Sequence, residues 1–389
     1  MRSAIFAVSI SLAVLSAVLP SSKVAGTFTG KVPATSGTPA VVISALPDAM
    51  GIQPQAVVGA DGNLHVVYFK GEASGGDLYY LRRGSRPVRV NSIAESALAT
   101  GSIRGAQLAL GRDGRVHVAW HGSKPLTHGT SDVPMWYARS TRDGLKFDPQ
   151  RPVSGPAEGL DGGTVAADRA GHVVVAWHAM GDRPGEANRT VYLARSSDGG
   201  ATFSTEAPAT SAPVGACGCC GMRALFDQRG TLHVLYRAAT DGNHRDTTWL
   251  RIDGPTARFP VRVHPWELQA CPMTTYALAE APDGLAAAWE TAQQIYSATL
   301  NSATGAISQL SAMPGTGSRK HPSIAVNAAG DRLVAWTEGT AWKRGGTMAW
   351  RLSDRNGVQL GAASDAGPVP VWGLVSAVAM PDGSFQIIR

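Results

Sequence analysis

Thr164-VAADRAGHVVVAW-His178 reads as a short apolar strand, a turn at Gly171, and a second strand of valines ending on Trp177. The same plan recurs six more times, at Gln55–Phe69, Ala106–His121, Met222–Arg237, Thr275–Glu290, Ser323–Thr337 and Ser376–Arg389. The turn glycines Gly62, Gly114, Gly171, Gly230, Gly284, Gly330 and Gly383 are separated by 52, 57, 59, 54, 46 and 53 positions. Period-two alternation marks strands. A unit of this length cannot bury its own apolar face, so the units must pack on one another around an axis. The chain reads as all-β: a β-propeller of four-stranded antiparallel blades. The count gives seven blades. A six-bladed ring with the terminal strands as an irregular cap is the alternative.

Composition agrees. Forty-five glycines and 24 prolines suit many tight turns and exclude long helices. Nothing resembling a linker divides the chain, and a core of this size needs no staples. Arg2 followed by the apolar run Ala4–Leu19 reads as an export leader, placing residues 1–25 outside the fold and the propeller at 26–389. That predicts a periplasmic or secreted protein with no membrane span once the leader is removed. Losing Arg2 and Lys23 takes 35 basic side chains to 33 against 29 acidic ones, a balance of +4. With no run of Lys or Arg, a nucleic-acid partner has no support.

The last repeat holds only two strands before Arg389, while Thr27–Val32 and Pro39–Leu46 are strand-like. The expected closure gives the final blade inner strands from the C-terminus and outer strands from the N-terminus, which removes two exposed sheet edges.

The stretch Tyr192-LARSSDGGATF-Ser204 places Ser196, Asp198, Gly200, Thr202 and Phe203 in a Ser-x-Asp-x-Gly-x-Thr-Phe pattern. Tyr137–Asp148 is a degenerate copy with Arg142 at the Asp position, and Arg351–Val358 is fainter. This pattern resembles the Asp-box repeat of the sialidase-like propellers. The box is a structural turn, with Ser and Asp bonding the backbone of their own hairpin.

In such a ring, loops before each first strand and after each second strand meet at one mouth of the central channel, where function is expected. The lead-in loops carry Gln53, Arg104, Asp161, Cys217, Cys219, Cys220, Cys271, Met273, His321 and Trp372. The loops leaving the second strands carry Lys70, His121, His178, Arg237, Glu290 and Glu338, with His128, Met180 and His244 further along. His121, His178, Arg237, Glu290 and Trp372 are therefore candidates to touch a small ligand, a glycan or a protein. His65, His117, His172 and His233 recur inside second strands and read as structural.

All four cysteines fall in two consecutive lead-in loops. An even count in an exported chain points to disulfides. Cys-x-Cys-Cys beside Cys-Pro-Met, with His321 on the following loop, also offers a soft-metal donor set suited to copper or zinc.

The resemblance implies a further alternative, an exo-sialidase. Such enzymes clamp a sugar carboxylate with three arginines and use a Tyr nucleophile with a Glu and an Asp acid/base. Arg104, Arg223, Arg319, Asp161, Tyr276 and Glu290 are the candidates for those roles. No Arg-Ile-Pro occurs, which departs from the family pattern. A third reading is a non-enzymatic glycan- or protein-binding module, with Trp342 and Trp372 as stacking surface.

Overall fold

Each of the seven repeats folds as an antiparallel pair across its glycine, and every turn glycine sits at positive φ, from 68° at Gly114 to 139° at Gly284. Such angles carry a steric cost for side-chain-bearing residues, which explains why glycine recurs there. The structure, a computed structural model, describes residues 30–32, 37–125, 133–155, 158–255, 257, 260–361 and 364–389. Residues 1–25, read above as an export leader, and His128 lie outside them.

Seven four-stranded sheets form a ring. Their innermost strands are Ile52–Val58, Gln107–Leu110, Asp161–Ala167, Arg223–Phe226, Tyr276–Ala281, Arg319–Val326 and Ser376–Ala379, and each touches the next around the circle. Hydroxyls on these strands stitch neighbouring blades. Thr164 Oγ1 accepts from Ala224 N at 3.1 Å, Ser323 Oγ from Ala377 N at 2.9 Å and Ser376 Oγ from Ala56 N at 2.9 Å. Trp120, Trp177, Trp289 and Trp336, which end second strands, are all buried and fill the gaps between blades. Among the described residues no helix is long and apolar enough to cross a membrane.

The seventh blade joins both ends of the chain in the order Gly30–Val32, Val41–Ser44, Phe385–Ile388, Ser376–Ala379. Closure occurs as expected, with one feature the alternation cannot reveal: Val41–Ser44 runs parallel to Phe385–Ile388. Leu46 N donates to Arg389 O at 3.0 Å and Gln386 Nε2 to Ser44 Oγ at 2.8 Å, extending the seam past the ladder.

The repeated histidines are structural, by two routes. His65 and His117 each meet a third-strand tyrosine hydroxyl, Tyr80 and Tyr137, at 2.6 Å, and His233 Nδ1 accepts from Trp249 Nε1 at 3.1 Å. His172 instead bonds Asp168 in its own hairpin at 2.6 Å.

In the third blade, Asp198 Oδ1 accepts from Ala201 N at 2.8 Å and Thr202 N at 2.9 Å, and Thr202 Oγ1 donates to Oδ2 at 2.6 Å. Ser196 Oγ accepts from Gly200 N at 2.9 Å and donates to Asp198 at 2.7 Å. Phe203 meets Tyr137 of the preceding blade edge-on at 4.8 Å. The degenerate copy keeps this logic shifted by one residue, with Thr141 and Leu145 N donating to Asp143. Asp198→Ala is expected to lower stability by about 1–2 kcal/mol through lost turn hydrogen bonds. Urea unfolding measures this, and the channel-mouth chemistry is expected to be untouched.

Candidate functional site

The Cys217–Cys220 turn is fixed from three sides. Cys217 N donates to Arg237 O at 3.0 Å, Gly221 N to Thr274 O of the next lead-in loop at 3.0 Å, and Gly218 N to Glu186 Oε1 at 2.7 Å. Glu186 is itself anchored by Arg245 at 2.6 Å. The turn thereby gathers three sulfurs: Cys217 Sγ lies 3.1 Å from Cys220 Sγ and 3.4 Å from Cys219 Sγ, and all three lie within 4.8 Å of one another. Cys217 and Cys220 are buried, Cys219 is half-buried, and all four cysteines are free thiols.

Burial opposes ionisation of Cys220, but hydrogen bonds from Cys217 and Cys219 and the charge of Arg237 outweigh it and hold this thiol well below its ordinary range. Cys219 is pushed up by its hydrogen bonds to Cys217 and Cys220, and by burial. Arg189, Arg237 and Arg245 stand around the cluster and favour negative charge on its sulfurs.

His178 supports the turn from beneath. Arg189 Nη2 donates to His178 Nδ1 at 2.9 Å, so the imidazole hydrogen is on Nε2 and is donated to Cys220 O at 2.9 Å. Burial, then the Arg189 charge, lowers its pKa to about 4. This keeps it neutral at pH 7.

Cys271 and His321 stand outside the sulfur group. Cys271 is exposed. His321 is buried on Thr275 Oγ1 at 3.4 Å, with its pKa lowered to about 3 by burial. Met273 leans the other way: a methyl group on Gly101 would come within 3.1 Å of its Cε, 3.1 Å of Arg104 Nη1 and 3.7 Å of Trp342. Trp342 meets Trp372 edge-on at 4.7 Å and is 55% exposed, forming an aromatic corner of the mouth.

The arginines do not converge. Arg104 binds Asp161 at 2.6 Å. Arg319 is buried on Glu338 at 2.8 Å and Gln294 at 2.9 Å, over the Trp336 ring. Arg223 turns into the channel, donating to Gln55 and Gln107. Arg237, Tyr276 and Glu290 are packed together under the cysteine turn. Arg237 donates to Glu290 O and to Arg245 O, lies 5.6 Å from the Tyr276 ring, and sits 3.9 Å from Glu290 Oε2. Burial raises the pKa of both Tyr276 and Glu290. His121 is buried between Gly122 O and Leu160 O, at 4.0 Å from Asp161. Of the proposed ligand contacts only Trp372 presents surface; His121, His178, Arg237 and Glu290 lie beneath it.

Sequence reasoning passed over Glu186, Arg189 and Arg245. They sit on long connectors between second and third strands, where no periodicity marks them.

No family model and no curated protein sequence matches the chain. Solved structures do. The α-L-arabinanase of Penicillium chrysogenum, complexed with arabinobiose, aligns at a TM-score of 0.51 and 13% identity over 79% of this chain and 94% of that one. The α-L-arabinofuranosidase of Fusarium graminearum aligns at 0.50 and 10% identity over 74% and 88%. The protein is a seven-bladed β-propeller. The Hadza microbial sialidase Hz136 aligns over 80% of this chain and 73% of its own, with a TM-score of 0.48 and 15% identity. At such identities the likeness is one of fold, and chemistry has to be argued from the site.

Proposed function

We propose that this propeller, exported by residues 1–25 and working as 26–389 in the periplasm or outside the cell, holds a soft metal ion at its channel mouth. The supporting observation is the set of three sulfurs within 4.8 Å of one another. Metal–thiolate bonds of about 2.3 Å place trigonal ligands roughly 4 Å apart, so only small shifts are required. Three thiolates are a heavy buried charge, and Arg189, Arg237 and Arg245 supply positive charge beside them. No His, Asp or Glu joins the group among the described residues. That favours copper(I), which accepts few soft ligands, over zinc, which takes four.

Anaerobically purified protein is expected to bind one equivalent of copper(I) against a colorimetric chelator. Cys217→Ser or Cys220→Ser should weaken that binding at least a hundredfold, and Cys271→Ser should leave it unchanged. Fully reduced wild-type protein that takes up neither copper nor zinc would reject the reading.

A second reading, glycan recognition, rests on the Trp342–Trp372 corner beside the Arg104–Asp161 pair. Aromatic faces and fixed polar groups are what sugar binding uses. Arabino-oligosaccharides are the first ligands to try, given the arabinobiose in the arabinanase complex. Release of sialic acid from a model substrate tests the hydrolase version.

A further inference from the structure

Arg223 opens the innermost strand of the fourth blade and lines a central cavity of about 400 Å³ together with Gln55 and Gln107 of blades one and two. Its Nη1 donates to Gln55 Oε1 at 3.3 Å and to Gln107 Oε1, contacts that cross the ring. A guanidinium has no acceptor, so both amides must turn their oxygens toward it. Their NH2 groups are thereby left as donors, and among the described residues neither has a protein acceptor.

The charge is also uncompensated. Burial is the sole influence on Arg223, lowering its pKa to about 10, and no carboxylate acts on it. The one acid lining the cavity, Glu280, lies toward the far end of its strand and answers to the Gln228 backbone, Asp227 and Arg169. The remaining surface of Arg223 faces the cavity. A half-buried cation without a counter-charge is costly, and the guanidinium with its two flanking amide donors makes this end of the cavity complementary to an acceptor-only anion.

We propose that the central channel binds a small oxyanion, a carboxylate or a tetrahedral anion, on the Arg223 guanidinium with the Gln55 and Gln107 amides as further donors. The site shares no residue with the thiol cluster and stands whether or not metal binds there. A planar fork of donors matches two oxygens of one ligand, which separates this site from one that reads charge alone.

The test uses the full-length mature protein in low-chloride buffer. Acetate and phosphate are titrated calorimetrically, and crystals are soaked with selenate or bromide to locate the ion by anomalous scattering. Acetate or phosphate should bind the wild type, at least tenfold more weakly to Arg223→Gln, and normally to Cys217→Ser. Tighter acetate binding marks a carboxylate site, and tighter phosphate binding marks a tetrahedral one. Selenate density at hydrogen-bond distance from Arg223 is expected in wild-type crystals, and it decides the matter alone if Arg223→Gln does not fold. The proposal is overturned if both affinities are unchanged in a folded Arg223→Gln, if selenate is absent from the channel, or if bromide occupies it and oxyanions do not.

Discussion

A mature chain beginning at Asp48 is expected to aggregate, or to melt roughly 5–10 °C below the parent. Deleting everything before Asp48 removes the strand that pairs with Phe385–Ile388, together with Val41 and Leu46, which are buried at 2% and 6% exposure. Two such side chains are worth about 1.5–3 kcal/mol each. The ladder bonds and the Leu46–Arg389 seam are lost as well. A total near 5 kcal/mol corresponds to roughly 10 °C in a domain of 150–250 residues, and somewhat less in a larger one. More damaging is the bare edge, since Phe385, Ile387 and Ile388 are all buried in the intact ring. An unpaired apolar strand recruits other chains. Light scattering and calorimetry read both effects. A monomer melting at the parent temperature would show that the N-terminal strands are dispensable.

Stability is expected to fall steeply below pH 6.5. His117 and His321 are buried neutral, their pKa values lowered to about 3 by burial in each case. In the unfolded chain both titrate near 6.5. Between those limits the unfolded state binds more protons than the folded one, so stability is full above pH 6.5 and is lost as pH drops toward the folded values. Each group contributes about 1.4 kcal/mol per pH unit, so the pair gives a slope near 3. His65 and His233, also lowered chiefly by burial, act in the same direction. Urea midpoints at pH 8, 6 and 5 measure the slope. Equal midpoints across that range would mean that these rings accept protons in place.

The ring was legible because strand, glycine turn and terminal tryptophan repeat at positions such as Gly171 and Trp177, and each has one physical job. Adjacency of lead-in loops was legible too, and Gly221 does bond Thr274 across it. Side-chain direction was not. The innermost strands of blades one, three and six are bulged where Gln53, Gly162 and His321 sit at φ of 55°, 64° and 53°. A bulge restarts the alternation, and a period-two pattern cannot say where. Sequence position alone put Arg104, Arg223 and Arg319 in one clamp, whereas the structure sends them to three separate sets of partners, with a bulge beside Arg319 only. Cys271, two residues before Met273 at φ 50°, stays outside the sulfur group that its loop borders, because a strand pattern does not fix the course of the loop before it.

The parallel seam between Val41–Ser44 and Phe385–Ile388 also orders events in time. Gln386 and Ser44 are 342 positions apart, and no earlier segment can stand in for either. A folding chain can build blades one to six in succession, each resting on the one before. The ring is expected to stay open until Phe385–Ile388 is available to pair. The slow step of folding is then expected to be the search of Val41–Ser44 for Phe385–Ile388, an encounter whose loop-closure cost is met only at the last blade.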